Sequence, residues 1–200
     1  IAATTGVSFA LDVVLDGEQR IVQAFAGELF AMHRAACRVS RQSAMRAVKS
    51  PFEVVVTSNA GFPLDQNLYQ SVKGMSAAAQ IVRPGGTIVC AAECRDGFPD
   101  HGSYRIELES ASSPEELARA IEGRQTSQRD QWQVQIQANI QRNARVVMHT
   151  SYLSSEVLRA AHLECTDDIG ATVAEALDAA GSAARVCVLP EGPITIPYVE

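Results

Sequence analysis

No apolar run in these 200 residues approaches the ~20 needed to span a bilayer, so no transmembrane helix is expected. No positively charged start leads into a hydrophobic stretch, which leaves no visible signal peptide and points to a cytoplasmic setting. The chain opens at Ile1, and a strand candidate follows almost at once, as in a piece of a larger parent. Basic residues are too few to neutralise phosphates: the net charge is −6 and the pI near 5.3, arguing against nucleic acid or anionic membrane as a partner. The five cysteines (Cys37, Cys90, Cys94, Cys165 and Cys187) include no Cys-x-x-Cys pair, and they read as reduced, small hydrophobic residues. His33, His101, His149 and His162 are scattered, with no His-x-x-x-His or Glu-x-x-His spacing. Cys90 and Cys94 with His101 come nearest to a ligand cluster, too loosely to predict a metal site. Gly-x-Gly-x-x-Gly, Gly-x-x-x-x-Gly-Lys and Gly-x-Ser-x-Gly are all missing, which removes the usual phosphate cradles and the esterase nucleophile.

What is present is a patterned, 46% hydrophobic chain, enough for a sizeable core. Val7 to Asp16 alternates apolar and polar residues, Gly17 offers a turn, and Arg20 to Ala26 supplies a second run, predicting a hairpin. A helical pattern then runs from Glu28 to about Val48. Ser50-Pro51 breaks it, because the residue before proline is pushed out of the helical region. A boundary there gives residues 1–49 and 50–200 as separate units. Beyond it, the runs FEVVVT, TIVCAA, ARVVMH and ARVCVLP alternate with helical segments, about Asp65–Val82, Pro114–Glu122, Ser127–Asn143, Ser154–Ala160 and Ile169–Ala180. Near-continuous apolar strands are buried on both faces under crossover helices. Residues 50–190 are therefore expected to form a three-layer α/β sandwich with a mainly parallel sheet.

Ligands of open α/β sheets sit at the carboxyl ends of strands. The stretch Thr57-Ser58-Asn59-Ala60-Gly61-Phe62-Pro63-Leu64-Asp65 ends a strand and leads into a helix capped at Asp65. Gln66, Gln70 and Lys73 share one face of that helix, and an amide donor beside a cation can hold a small carboxylate. The plainer reading of that spacing is a solvated face. The loop Ala92–Gly97 clusters Glu93, Arg95 and Asp96 at the same edge, where an ion-paired structural loop is the simpler account. Trp132, the single tryptophan, stands in the glutamine-rich QWQVQIQANIQ, as a packing anchor or as a ligand wall.

The run TSNAGFPLDQNLYQSVKGMSAAAQIVRPGGTIVCAAECRDG is similar to the C-terminal domain of the nickel-dependent lactate racemase family. LDGEQRIVQAFAGELFAMHRA resembles the segment leading out of that family's N-terminal domain, and VCVLPEGPITIPYV its closing segment. Ala60 stands where many relatives carry a second glycine. The resemblance implies a parent racemase or epimerase of small 2-hydroxy acids such as lactate, with a nickel pincer nucleotide tethered to a lysine. Hydride passes to that cofactor and back while histidines move the hydroxyl proton. By match to the motif, Gln70 and Lys73 correspond to residues that contact the substrate carboxylate, and Trp132 to the tryptophan near the cofactor. The tether lysine, nickel-binding histidine and acid–base histidines of the family precede this segment. No catalytic residue, metal ligand or bound cofactor is therefore expected in this stretch alone, whose partner is the upstream N-terminal domain. Two other readings stay open. One is a non-catalytic interaction or structural module. The other is a Rossmann-like methyltransferase, suggested by Arg83-Pro84-Gly85-Gly86-Thr87 but lacking an acidic glycine-rich loop.

Overall fold

Strands whose residues are apolar at every position need cover on both faces, and the second half of the chain is built around that need. The computed structural model describes residues 1–200, which divide into two compact units, residues 1–45 and 46–200.

The first unit holds a one-turn helix α1 (Ala2–Thr5), an antiparallel hairpin of β1 (Ala10–Leu15) and β2 (Ile21–Gly27), and helix α2 (Leu29–Ala44). Asp16 closes the hairpin turn, its carboxylate accepting the Glu18 and Arg20 backbone N–H groups at 2.9 and 3.0 Å. Glu28 caps α2 by accepting from Phe30 and Ala31. The hairpin leaves Leu11, Ile21 and Val22 exposed. The helix expected to reach Val48 stops at Ala44, and β3 (Met45–Val48) follows instead. Its residues favour helix locally, but pairing with β9 (Ile196–Val199), far along the chain, overrides that preference.

The second unit carries the parallel sheet: β4 (Phe52–Ser58), β5 (Val82–Ala91), β6 (Arg145–His149), β7 (Glu164–Cys165) and β8 (Val186–Leu189). They lie in the order β7-β6-β5-β4-β8, every neighbouring pair parallel. The chain thus winds one way from β4 to β7 and returns to the other side of β4 with β8. Its crossovers are α3 (Leu68–Ala79), then α4 (Tyr104–Leu108), α5 (Pro114–Glu122) and α6 (Gln131–Asn143), then α7 (Ser155–Ala160), then α8 (Ile169–Ala180). A 3₁₀ turn, Gly192–Ile194, joins β8 to β9.

In-register rows show how the layers separate. Cys187, Val55, Ile88 and Val146 align across four strands and pack with Leu68, Val72, Met75 and Val134 of α3 and α6. The alternate residues Val54, Val89 and Val147 are buried outside that cluster, on the face where α8 crosses β4 and β5. The sandwich is three-layered as expected. Arg145 pins its far edge, meeting Glu164 at 2.7 Å and Glu175 at 3.1 Å.

Several boundaries differ from the sequence reading. β5 starts at Val82 rather than Thr87, passing through Gly85 at φ +72. A Cβ on Gly86 would come within 2.8 Å of the Glu53 carbonyl oxygen, so the Pro-Gly-Gly step serves close strand packing. α3 starts at Leu68 rather than Asp65, and α6 at Gln131 rather than Ser127. α4, β7 and β9 are too short for periodicity to signal them.

Candidate functional site

The reversal of winding at β4 and β8 opens the sheet's carboxyl edge beside Thr57–Asn59, the position where doubly wound sheets take ligands. Here the closing segment fills part of the space. Thr57 Oγ1 donates to the Leu189 carbonyl at 3.3 Å, and Ser58 Oγ donates to that of Pro190. Gly192 lies so close that a Cβ on it would meet Thr57 Oγ1 at 2.5 Å and the Gly74 Cα at 2.9 Å. Asn59 is fully buried; its Nδ2 donates to the Leu64 carbonyl, and its Oδ1 accepts the Gly74 N–H at 2.9 Å. This loop, α3 and the closing segment therefore lock together one residue from Lys73.

Ala60 adopts φ +62, a left-handed conformation. Glycine would adopt it without strain, whereas alanine costs about 1–2 kcal/mol there.

The two loops singled out in the sequence meet. Asp65 does not cap α3; it turns back, and its Oδ2 accepts the Glu93 N–H at 3.0 Å. Cys94 N–H donates to the Asp65 carbonyl at 2.9 Å, and Asp96 N–H to that of Gln66 at 2.8 Å. Asn67 takes the capping position, accepting the Gln70 N–H at 3.1 Å. Gln66 consequently precedes the helix and does not share its face with Gln70 and Lys73. Within the second loop, Glu93 pairs with Arg95 at 3.4 Å. A cavity of about 350 Å³ opens along this edge, lined by Ser58, Asp65, Glu93, His149 and Thr150 among others. A larger one, about 460 Å³, lies between Gln80, Arg83 and Asn143 at the strands' amino ends, away from where such sheets bind ligands.

Lys73 is exposed and Gln70 half-buried on α3. Lys73 Nζ donates to Gln70 Oε1 at 2.6 Å, leaving the Gln70 amide N–H groups and the other ammonium hydrogens unused by the protein. Trp132, at the start of α6, is 55% exposed. Its ring stands edge-on to Tyr69, centroids 5.8 Å apart and planes at 86°. Tyr69 directly precedes Gln70 and lies one helical turn before Lys73, so Trp132 joins the α3 cluster through it.

Residues 47–196 match the family model described as the lactate racemase C-terminal domain. The chain belongs to the lactate racemase C-terminal domain family.

It is 37% identical over 193 residues to the lactate racemase of Thermoanaerobacterium thermosaccharolyticum, covering 96% of this chain and 45% of that protein. To the lactate racemase of Lactiplantibacillus plantarum it is 34% identical over 194 residues, with the same coverage. The structure of the lactate racemase apoprotein from T. thermosaccharolyticum superposes with a TM-score of 0.88 at 33% identity, over 96% of this chain and 46% of that one. A Thermotoga maritima protein, with a TM-score of 0.61 at 13% identity over 96% of this chain and 49% of its own, shares the fold. The chain thus spans less than half the length of the lactate racemases it matches.

Tyr69 was not among the residues expected at the site. Its signal was its place beside Gln70 and one turn from Lys73, but the partner ring lies far along the chain. Burial first, then the Asp130 charge, pushes its phenol pKa up, so it stays a neutral donor. Behind it, Tyr104 stands edge-on at 5.2 Å and donates to Gln137 Oε1. The histidines do not converge: His149 Nδ1 meets the Thr166 carbonyl at 3.0 Å, and His162 Nε2 that of Leu108 at 3.2 Å.

Proposed function

We propose that this chain is the substrate-side part of a cytoplasmic racemase or epimerase acting on lactate or a related 2-hydroxy acid. The observation that carries the reading is the Lys73–Gln70 pair on α3, joined through Tyr69 to the exposed ring of Trp132. The remaining ammonium hydrogens of Lys73 and the unused amide N–H groups of Gln70 suit a small carboxylate, the one anionic group every 2-hydroxy acid shares. Lys73 binds that carboxylate, Gln70 orients it, and the Trp132–Tyr69 wall excludes water from one flank. Fixing the carboxylate fixes the neighbouring carbon, whose hydrogen the reaction must remove and return.

The nickel pincer nucleotide implied by the family resemblance supplies a hydride acceptor when bound. No three His, Cys, Asp or Glu side chains of this chain converge as a metal cluster, and burial pushes the thiol pKa values of Cys90 and Cys94 up. Nickel ligation, the tether lysine and the proton-moving histidines are assigned to an upstream domain. Residues 1–49 are assigned to that domain's edge, a reading supported by the apolar residues Leu11, Ile21 and Val22 exposed on the hairpin. Trp132 fits beside the cofactor's ring, since an aromatic face attracts a pyridinium.

The test is direct. The complete, cofactor-loaded protein is incubated with L-lactate and the products resolved by chiral chromatography. Appearance of D-lactate supports the reading. Activity on a longer 2-hydroxy acid only would narrow the substrate. Failure on every 2-hydroxy acid tried would sink it.

A further inference from the structure

We propose that Gln133 is a positioning residue that sets Trp132 against the Lys73 helix; the inference rests on the reading above, in which these residues form one site. Gln133 is 1% exposed, yet it is polar, in a helix–helix contact that leucine or methionine would fill. Its Nε2 donates to the Tyr69 carbonyl at 2.6 Å. By the helix pattern that carbonyl also receives the backbone N–H of Lys73, four residues on. The carbonyl thus has a partner without Gln133, and satisfying α3 does not require the amide. What the bond adds is register: it ties the residue next to Trp132 to the turn of α3 that presents Gln70 and Lys73.

The device repeats along α6. Gln137 Nε2 donates to the Ala161 carbonyl at 3.0 Å while its Oε1 accepts from Tyr104, and Gln141 Nε2 donates to the His162 carbonyl at 2.6 Å. Glutamines four residues apart therefore fix one face of α6 to three different segments. Of these ties, only that of Gln133 reaches the site. Apolar packing alone leaves a helix free to roll by small angles among similar arrangements, whereas a buried directional bond selects one. The Trp132–Tyr69 edge-to-face contact depends on that roll.

Trp132 is the only tryptophan of these 200 residues, so the intrinsic fluorescence of this chain reports its setting directly. Gln133→Met keeps the volume and removes the donor. It is expected to leave the melting temperature close to wild type, while Trp132 emission shifts to the red and acrylamide quenching increases. In the complete protein, kcat/KM is expected to fall about two- to tenfold, chiefly through KM. Gln133→Glu should recover the wild-type spectrum on acidification, when the protonated acid donates again, and lose it as the pH rises. Unchanged emission, quenching and kinetics in both variants, with only a lower melting temperature, would overturn the proposal and leave Gln133 a packing residue. A kinetically silent Lys73→Ala would instead remove the underlying site reading, and the inference with it.

Discussion

Lys73→Ala separates a residue kept for its fold from one kept for its ligand. In the structure Lys73 is exposed, and its only side-chain bond is to Gln70 on the same helix at 2.6 Å. Such i,i+3 pairs are worth about 0.2–0.5 kcal/mol. Alanine's higher helix propensity returns a few tenths of that. The net change in stability is therefore within about 0.5 kcal/mol, or about 1–2 °C in melting temperature for a unit of this size. Against a carboxylate, the lost charge-assisted bond is worth about 1.5–3 kcal/mol, a ten- to hundredfold drop in kcat/KM. Because substrate and transition state carry the same carboxylate, most of that drop should appear in KM. Lys73→Arg keeps the charge in a different geometry and should recover part of the loss. The assay is initial-rate interconversion of lactate enantiomers by the complete protein, beside a melting curve of each variant. A melting temperature several degrees lower with unchanged kcat/KM would refute the assignment and make Lys73 structural.

Gly192→Ala should destabilise the second unit by about 1–3 kcal/mol, because its Cβ would meet Thr57 Oγ1 at 2.5 Å and the Ser58 carbonyl at 2.9 Å, whereas Gly123→Ala, with nothing nearer than 3.5 Å, should be near neutral by thermal melting. Asn59→Ala leaves the Leu64 carbonyl and Gly74 N–H without this buried partner and should cost about 1–3 kcal/mol by urea titration. Burial raises the phenol pKa values of Tyr69 and Tyr104, so their contribution is complete below about pH 10, where unfolded tyrosine ionises, and is lost as pH rises further. The Arg185 backbone N–H lowers the pKa of Glu53 and the Ser112 hydroxyl that of Glu116, so their contribution is present above about pH 4.3 and lost on acidification; a melting series from pH 3 to 11 tests both limbs. Metal analysis of the purified chain is expected to find nickel well below stoichiometric, given that no donor cluster converges.

The parallel sheet was legible because its strands announce themselves: Phe52–Ser58 and Arg145–His149 are apolar runs with no competing helical period. The helical segments Pro114–Glu122 and Ile169–Ala180 coincide with α5 and α8, which the structure shows capped by Ser113 and Asp168. The start of α3 was not decided locally. Asp65 and Asn67 are both good caps, and what separates them is a bond from Glu93, 28 residues further on. Met45–Val48 was misread as helix for the same reason, since β9 supplies the pairing from the other end of the unit. Gln70 and Lys73 stood out by helical spacing and Trp132 as the lone tryptophan, and the family resemblance gave them roles. Their meeting through Tyr69, and the grip of Gln133 on Tyr69, depend on how α6 packs against α3 and have no periodic signature.

The docking of residues 186–194 onto β4 and α3 also sets the order in which the site can be made. Thr57 and Leu189 bond across 132 residues, and Gly192 seats against Gly74 beside Lys73. During synthesis, β4 through β7 can emerge and pair in sequence, each strand meeting one already made. β4 then waits with one edge open until β8 has cleared the ribosome, and an unpaired strand edge is prone to wrong pairing. The slow, long-range closure comes only after residues 186–194 have emerged. A nascent chain stalled before Val186 would carry Lys73 on α3 and Trp132 on α6 but not the segment that seats Gly192 against Gly74, so α3 would lack the contact made one residue from Lys73.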